Sequence, residues 1–123
     1  MRTLLCATSA LFATTVVHAH HVRCAPYYRL FMLVLVASLL VYGVSPPPLW
    51  LAVVDRCAAH AAFGYIVCVD LPRRPELAGF PAAVAGLWFA EGLWPAEADA
   101  LHALLHVVAV VGVHSFLRAL YAE

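Results

Sequence analysis

Two histidines four positions apart, His102 and His106, are the residues of this sequence best suited to metal chemistry. On a helix they share one face with Asp99, all three within about 60° of one another at 100° per residue. Imidazole and carboxylate groups from facing helices are ligands that suit Zn²⁺. We therefore expect a zinc site with His102 and His106 as ligands, and with Asp99 or Glu91 as a further ligand or as a hydrogen-bonding neighbour of a ligand.

Asp55 is the candidate general base beside such a zinc ion, because it lies on a different apolar segment from the histidine pair. Asp55 could equally be an interfacial side chain one turn inside a membrane boundary. The next residue, Arg56, lies four positions before His60. That spacing favours an arginine that extends to the interface with a hydrogen-bonded histidine beneath it.

These polar residues interrupt a very apolar sequence. Of the 123 residues 65% are hydrophobic and only 11% are charged, with a mean hydropathy of +0.90, whereas about 25% of the residues of a soluble domain are charged. This composition excludes a water-soluble globular domain. The formal net charge is zero and there is no Lys, so the sequence offers neither a basic surface for nucleic acid nor Schiff-base chemistry.

Five apolar stretches predict an all-α, polytopic helical membrane protein that forms a single domain over residues 1–123. A helix that spans a bilayer needs roughly 20 residues, and prolines separate the later stretches. The predicted spans are residues 3–19, 30–44, 49–69, 77–94 and 100–121.

The first stretch also resembles a secretory signal, since Val17-His18-Ala19 is similar to a signal-peptidase site. Cleavage would leave four spans. The distribution of arginines favours five spans. With five spans, the loops on one side of the membrane hold only Arg2, whereas the loops on the other side hold Arg23, Arg29, Arg73, Arg74 and Arg118. Arginine-rich loops stay in the cytoplasm, so we expect an outside N-terminus.

With this topology the polar residues at four helix ends meet on the outer side of the membrane. An ionisable side chain within a span costs about 2.5 to 3.5 kcal/mol on insertion scales, so such residues point to function. The histidines at positions 18, 20 and 21 are expected in an interfacial loop at the opposite end. The residues expected to converge are Ser38, Tyr42, Asp55, Glu91, Asp99, His102 and His106.

The sequence from about Ser38 to the C-terminus resembles the superfamily that includes alkaline ceramidases and the progestin and adipoQ receptors. These are seven-helix membrane proteins regarded as metal-dependent hydrolases, with the pattern SxxxH closing one helix, Asp opening the next and HxxxH opening the last. Here Asp55 matches the aspartate and His102-Ala-Leu-Leu-His106 matches HxxxH, whereas the first element is Ser38-Leu-Leu-Val-Tyr42. A second partial match, Thr14-Thr-Val-Val-His18, is set aside because it falls at the opposite end.

The resemblance implies a zinc ion on the histidine pair and a lipid amide as the substrate class, with Tyr42 at the position of the third zinc ligand. We therefore expect an integral, multi-pass membrane protein that contacts membrane lipids and hydrolyses a lipid amide or ester.

Three other functions stay open. The chain could be a non-enzymatic membrane protein that acts through helix packing or partner binding. It could bind haem between His60 and His114, or relay protons or ions through His60, His106 and His114. Because five short helices enclose little volume, we also expect a homo-oligomer.

Overall fold

The computed structural model describes residues 2–44 and 46–121, and within these ranges it contains helices and turns but no β-strand. Ser45 and the side chain of Arg2 lie outside the described part. The predicted all-α class is confirmed. The α-helices are α1 (Arg2–Ala10), α2 (Phe12–His21), α3 (Ala25–Gly43), α4 (Leu49–Tyr65), α5 (Gly79–Leu93) and α6 (Ala98–Leu120).

Helices α1 and α2 form one rod interrupted by a turn at Leu11. Two threonine hydroxyls follow this turn and bond to the backbone of the rod itself. Thr14 donates to the carbonyl of Leu11 and Thr15 to that of Phe12. Such bonds satisfy a hydroxyl within an apolar helix and bend the helix locally. The first predicted span is therefore a continuous element, Thr3–His21.

Helix α4 continues beyond its regular part as a π-helical turn (Ile66–Asp70) and a 3-10 turn (Leu71–Arg73). Pro72 and Pro75 then end the helical segment, because proline lacks the N–H that a helix interior needs. A second 3-10 turn (Pro75–Leu77) leads into α5, and a third (Pro95–Glu97) leads into α6.

Four helices among the described residues are long and apolar enough to cross a membrane, rather than the five that we predicted. They are Thr3–His21, Ala25–Gly43, Leu49–Arg73 and Pro95–Leu120. The predicted fourth span, residues 77–94, forms α5, which has 15 residues and is about 22 Å long at 1.5 Å per residue. The hydrocarbon core of a bilayer is about 30 Å thick, so α5 is shorter than a usual span.

The α1–α2 rod packs between α3 and α6, α4 packs on the far side of α3, and α5 packs against α6. The rod and α6 run parallel, since Thr8 contacts His106 and Thr14 contacts His114. Helices α4 and α5 meet through ring contacts of Trp88 with His60 and Phe63. A cleft therefore lies between α4 and α5, with α3, α6 and the rod behind it.

The apolar core is concentrated where α3, α6 and the rod meet. Tyr27, Phe116 and Leu117 are its largest fully buried side chains. Helix α5 approaches α6 most closely at Gly112, where a Cβ atom would lie 2.8 Å from Cβ of Phe80. The α5–α6 hairpin therefore requires a residue without a side chain at this position.

Asp70, within the π-helical turn, anchors the end of the bundle opposite to the predicted site. It is fully buried, accepts a 2.9 Å hydrogen bond from the hydroxyl of Tyr121 and lies 3.6 Å from the guanidinium of Arg73. The ring of Tyr121 contacts Tyr27 of α3. Burial and the Asp70 carboxylate raise the pKa of Tyr121, which keeps its phenol protonated as a donor. One carboxylate thus joins the ends of α4 and α6 to the start of α3.

Replacing Gly112 by Ala should destabilise the protein by about 1 to 3 kcal/mol, because the added methyl group forces α5 and α6 apart. Thermal unfolding in a mild detergent measures this loss. Gly86→Ala is the matched control, because nothing lies within 4 Å of a Cβ there and alanine favours a helix by up to about 1 kcal/mol. Equal unfolding temperatures for the two variants would contradict the close approach.

Tyr121→Phe should lower the free energy of unfolding by about 1.5 to 3 kcal/mol, because it removes a hydrogen bond to a buried carboxylate. The same substitution at Tyr28, whose half-buried ring packs on His20, controls for the loss of a phenol hydroxyl. Denaturant titration of both variants checks the difference. An equal effect at both positions would show that Asp70 is not an anchor.

Candidate functional site

The predicted convergence of polar residues occurs where α3 and α5 end and α4 and α6 begin. We call this the site end of the bundle. Six of the seven residues expected there take part in two groups of contacts and come from four helices. One group is Ser38 and Asp55, and the other is Tyr42, Glu91, His102 and His106.

His102 and His106 lie one turn apart on α6, with ring centroids separated by 4.5 Å. The Nδ1 of His102 donates a hydrogen bond of 2.5 Å to a carboxylate oxygen of Glu91, which comes from the last turn of α5. Both side chains of this pair are partly shielded from solvent. The short connection through Pro95–Glu97 turns the chain back so that the two residues meet.

His106 lies deeper, with 4% of its surface exposed. Its Nδ1 is 2.9 Å from the hydroxyl of Thr8 in α1, and its ring meets the edge of Phe12. Tyr42, near the end of α3, has its ring centroid 6.0 Å from the centroids of both His102 and His106. The phenol ring therefore packs beside both imidazoles, at the position where the resemblance implies a third zinc ligand.

Asp55 is buried, with 9% of its surface exposed, and accepts a 2.6 Å hydrogen bond from the hydroxyl of Ser38. It lies in the second turn of α4, facing the last part of α3. The predicted placement of Asp55 on a different helix from the histidine pair is correct. Asp55 is thus buried between α3 and α4, within two turns of the start of α4.

Asp99 differs from the other predicted ligands, because it is exposed in the first turn of α6. An acidic residue there interacts favourably with the helix dipole. Glu91 contacts His102 through its carboxylate. Over residues 2–44 and 46–121, no three His, Cys, Asp or Glu side chains are arranged to hold a metal ion. Of the two candidates for a further ligand, Glu91 thus lies beside His102 and Asp99 is exposed.

An apolar cleft with a volume of about 110 Å³ extends from these residues toward the opposite end of the bundle. Four helices and the rod contribute to its walls. Its polar lining is confined mainly to the site end and to Arg56 and His60. Among the apolar residues that line it are Phe31, Val34, Ile66, Phe80, Val84 and Phe116.

Arg56 and His60 lie one turn apart on α4. Arg56 is exposed, and Nδ1 of His60 donates a 2.7 Å hydrogen bond to its backbone carbonyl. The imidazole also stacks on Trp88 of α5 at 4.8 Å with an interplanar angle of 8°. His60 is therefore part of the contact between α4 and α5.

A second histidine pair lies toward the opposite end and was missed by the sequence analysis. The Nδ1 atoms of His18 and His114 are 2.7 Å apart, and Nε2 of His114 is 2.9 Å from the hydroxyl of Thr14. We had expected His18 in an interfacial loop with His20 and His21, but all three belong to α2. In a five-span topology the first and last spans run in the same direction. The positions of His18 and His114 within those spans then place both residues at a similar depth in the membrane.

This second pair also bears on haem ligation. His114 contacts α2 through His18, whereas His60 contacts α5 through Trp88. The two histidines proposed as axial ligands thus have different partners on different helices.

No family model matches this chain, and neither the curated proteins nor the solved structures contain a match.

The His18–His114 contact should appear as an energetic coupling in a double-mutant cycle. We expect His18→Ala and His114→Ala to be non-additive by about 0.5 to 3 kcal/mol, as is usual for residues in contact. The measurement is the free energy of unfolding of the wild type, both single variants and the double variant. His21→Ala, an exposed position on the same helix, should be additive with His114→Ala. A coupling equally large for His21 would contradict the pairing.

Proposed function

We propose that this chain is an integral, multi-pass membrane protein that hydrolyses a lipid amide or ester at its site end, with a zinc ion on His102 and His106. The observation that carries the proposal is the contact between the two imidazoles at the head of an apolar cleft, with Ser38, Tyr42 and Asp55 beside them. These are the positions that the resemblance to the ceramidase and receptor superfamily implies. An activity on membrane lipids fits the four long apolar helices.

His102 and His106 supply two imidazole nitrogens, and imidazole is a usual zinc ligand. The ring of Tyr42 lies beside both imidazoles, at the position where the resemblance implies a third ligand. Glu91 is assigned a supporting role, because its carboxylate accepts the Nδ1–H of His102 and so leaves Nε2 of that ring for a ligand. A bound zinc ion would polarise the carbonyl of the substrate.

Asp55 is the proton acceptor in this proposal. Its carboxylate is held by the hydroxyl of Ser38 and faces the cleft rather than bulk solvent, so it is placed to take the proton of an attacking water molecule. Ser38 orients the carboxylate. The apolar lining below holds the hydrocarbon chain of the substrate and excludes water from the reacting carbonyl.

A non-enzymatic membrane protein is the second candidate, and it is favoured by the hydrogen bonds that join polar side chains of different helices, Ser38 to Asp55 and Glu91 to His102. In this candidate the polar contacts serve helix association. Self-association of the chain is part of both proposals, because a bundle of a few short helices encloses little volume by itself.

Metal content separates the two candidates. The protein is purified in mild detergent with a tag that contains no histidine, and is compared with His102→Ala/His106→Ala. The inner pair provides a matched control, His18→Ala/His114→Ala, which also removes two contacting histidines. We expect about one zinc ion per chain in the wild type and the control and none in the site variant. A folded, metal-free wild type would reject the hydrolase in favour of the second candidate.

The role of Asp55 is tested with the same preparations. Asp55→Asn should retain zinc but lose hydrolysis of long-chain lipid amides or esters by about 10²- to 10⁴-fold, the usual contribution of a general base. Zinc retained with undiminished hydrolysis would remove Asp55 from the mechanism.

A further inference from the structure

Among the described residues, two side chains are hydrogen-bonded to the histidines of the site. Glu91 of α5 bonds to His102, and Thr8 of the first helix bonds to His106. Thr8 is buried, and its hydroxyl oxygen has three neighbours. Two are backbone carbonyl oxygens of its own helix, at 3.0 Å (Leu4) and 3.2 Å (Leu5), and the third is Nδ1 of His106 at 2.9 Å.

The direction of each hydrogen bond follows from the number of protons. A threonine hydroxyl carries one proton and accepts through its lone pairs, whereas a carbonyl oxygen only accepts. All three contacts can be hydrogen bonds only if the hydroxyl proton of Thr8 is shared between the carbonyls of Leu4 and Leu5 and its oxygen accepts from His106. His106 must then donate, so its Nδ1 carries the proton. In a neutral imidazole the other nitrogen, Nε2, is left with a lone pair.

The same reasoning gives the opposite result for the second histidine pair. The hydroxyl of Thr14 donates to the carbonyl of Leu11 at 2.6 Å and accepts from Nε2 of His114 at 2.9 Å. His114 thus carries its proton on Nε2, and its Nδ1 accepts from Nδ1–H of His18 at 2.7 Å. Two threonines of the first span hold two histidines of α6 in opposite tautomers.

We infer that Thr8 is a positioning residue that fixes His106 as the Nδ1–H tautomer and so makes Nε2 the nitrogen that this ring offers to a ligand. Glu91 has the same effect on His102 through Nδ1, so the two rings present equivalent nitrogens. A histidine that binds a metal usually donates its second N–H to such a partner. The inference rests on the proposed function only for the identity of the ligand, because the tautomer follows from the hydrogen bonds alone.

Nitrogen NMR of protein labelled with ¹⁵N-histidine reads the tautomer directly, without metal or substrate, at a pH at which the imidazoles are neutral. In the wild type we expect a protonated Nδ1 for His106 and a protonated Nε2 for His114, with signals assigned by His106→Ala and His114→Ala. Thr8→Val keeps the shape of the side chain but removes the acceptor, and should shift His106 toward a mixture of tautomers. Thr8→Ser should restore the wild-type signal, and Thr14→Val should change His114 but not His106.

Zinc titration of the same variants gives a second readout. Thr8→Val should weaken zinc binding about 10- to 100-fold, as is usual when a hydrogen-bonding partner of a ligand is lost, and Thr8→Ser should bind like the wild type. Zinc binding with an unchanged tautomer and affinity in Thr8→Val would overturn the role of Thr8. A fixed Nδ1–H tautomer that Thr8→Val disrupts, in a protein that binds no zinc, would support the role of Thr8 and reject the proposed function.

Discussion

A polar side chain inside an apolar bundle is stabilised by a hydrogen-bonding partner within the protein, and the pairing of such side chains shapes the structure. Lipid offers no hydrogen bonds, so an unpaired polar group in a span costs several kcal/mol. Asp55 is paired with Ser38, His102 with Glu91, and Asp70 with Tyr121. Each of these pairs joins two different helices. The polar residues therefore fix which helix faces lie against each other, while the apolar residues supply the contact area.

Much of the fold and part of the site followed from the sequence. Apolar stretches of adequate length between prolines located the helices. Because successive spans run in opposite directions, the end of one span and the start of the next lie on the same side of the membrane. This alternation placed Ser38, Asp55, Glu91 and His102 at the same end of the bundle. The helix α3 begins five residues before the predicted span at residue 30, since Pro26 is tolerated in the first turn of a helix. The lengths of the apolar stretches therefore predicted the presence of the helices better than the residues at which each helix begins and ends.

The parts that could not be predicted depend on rotation of helices about their axes and on helix length. Asp99 shares a face with His102 and His106 by angle, yet it lies at the very start of α6, where the first turn is exposed. Periodicity gives no information on how far neighbouring helices extend along that face. The pairing of His18 with His114 required knowing that α2 packs against α6, a contact between residues 96 positions apart. The π-helical turn that contains Asp70 has no simple signature in the sequence.

The seam between the rod and α6 joins the first helix of the chain to the last. Thr8 and His106 are 98 positions apart, and the intervening chain forms α3, α4 and α5. During synthesis α6 is the last of these helices to be made, and until then the face of the first helix that carries Thr8 and Thr14 has no partner from α6. The contacts of His102 and His106 consequently need α6, whereas the bond between Ser38 and Asp55 does not. Any chain that stops short of α6, or that begins after Ala19, contains only one side of this seam.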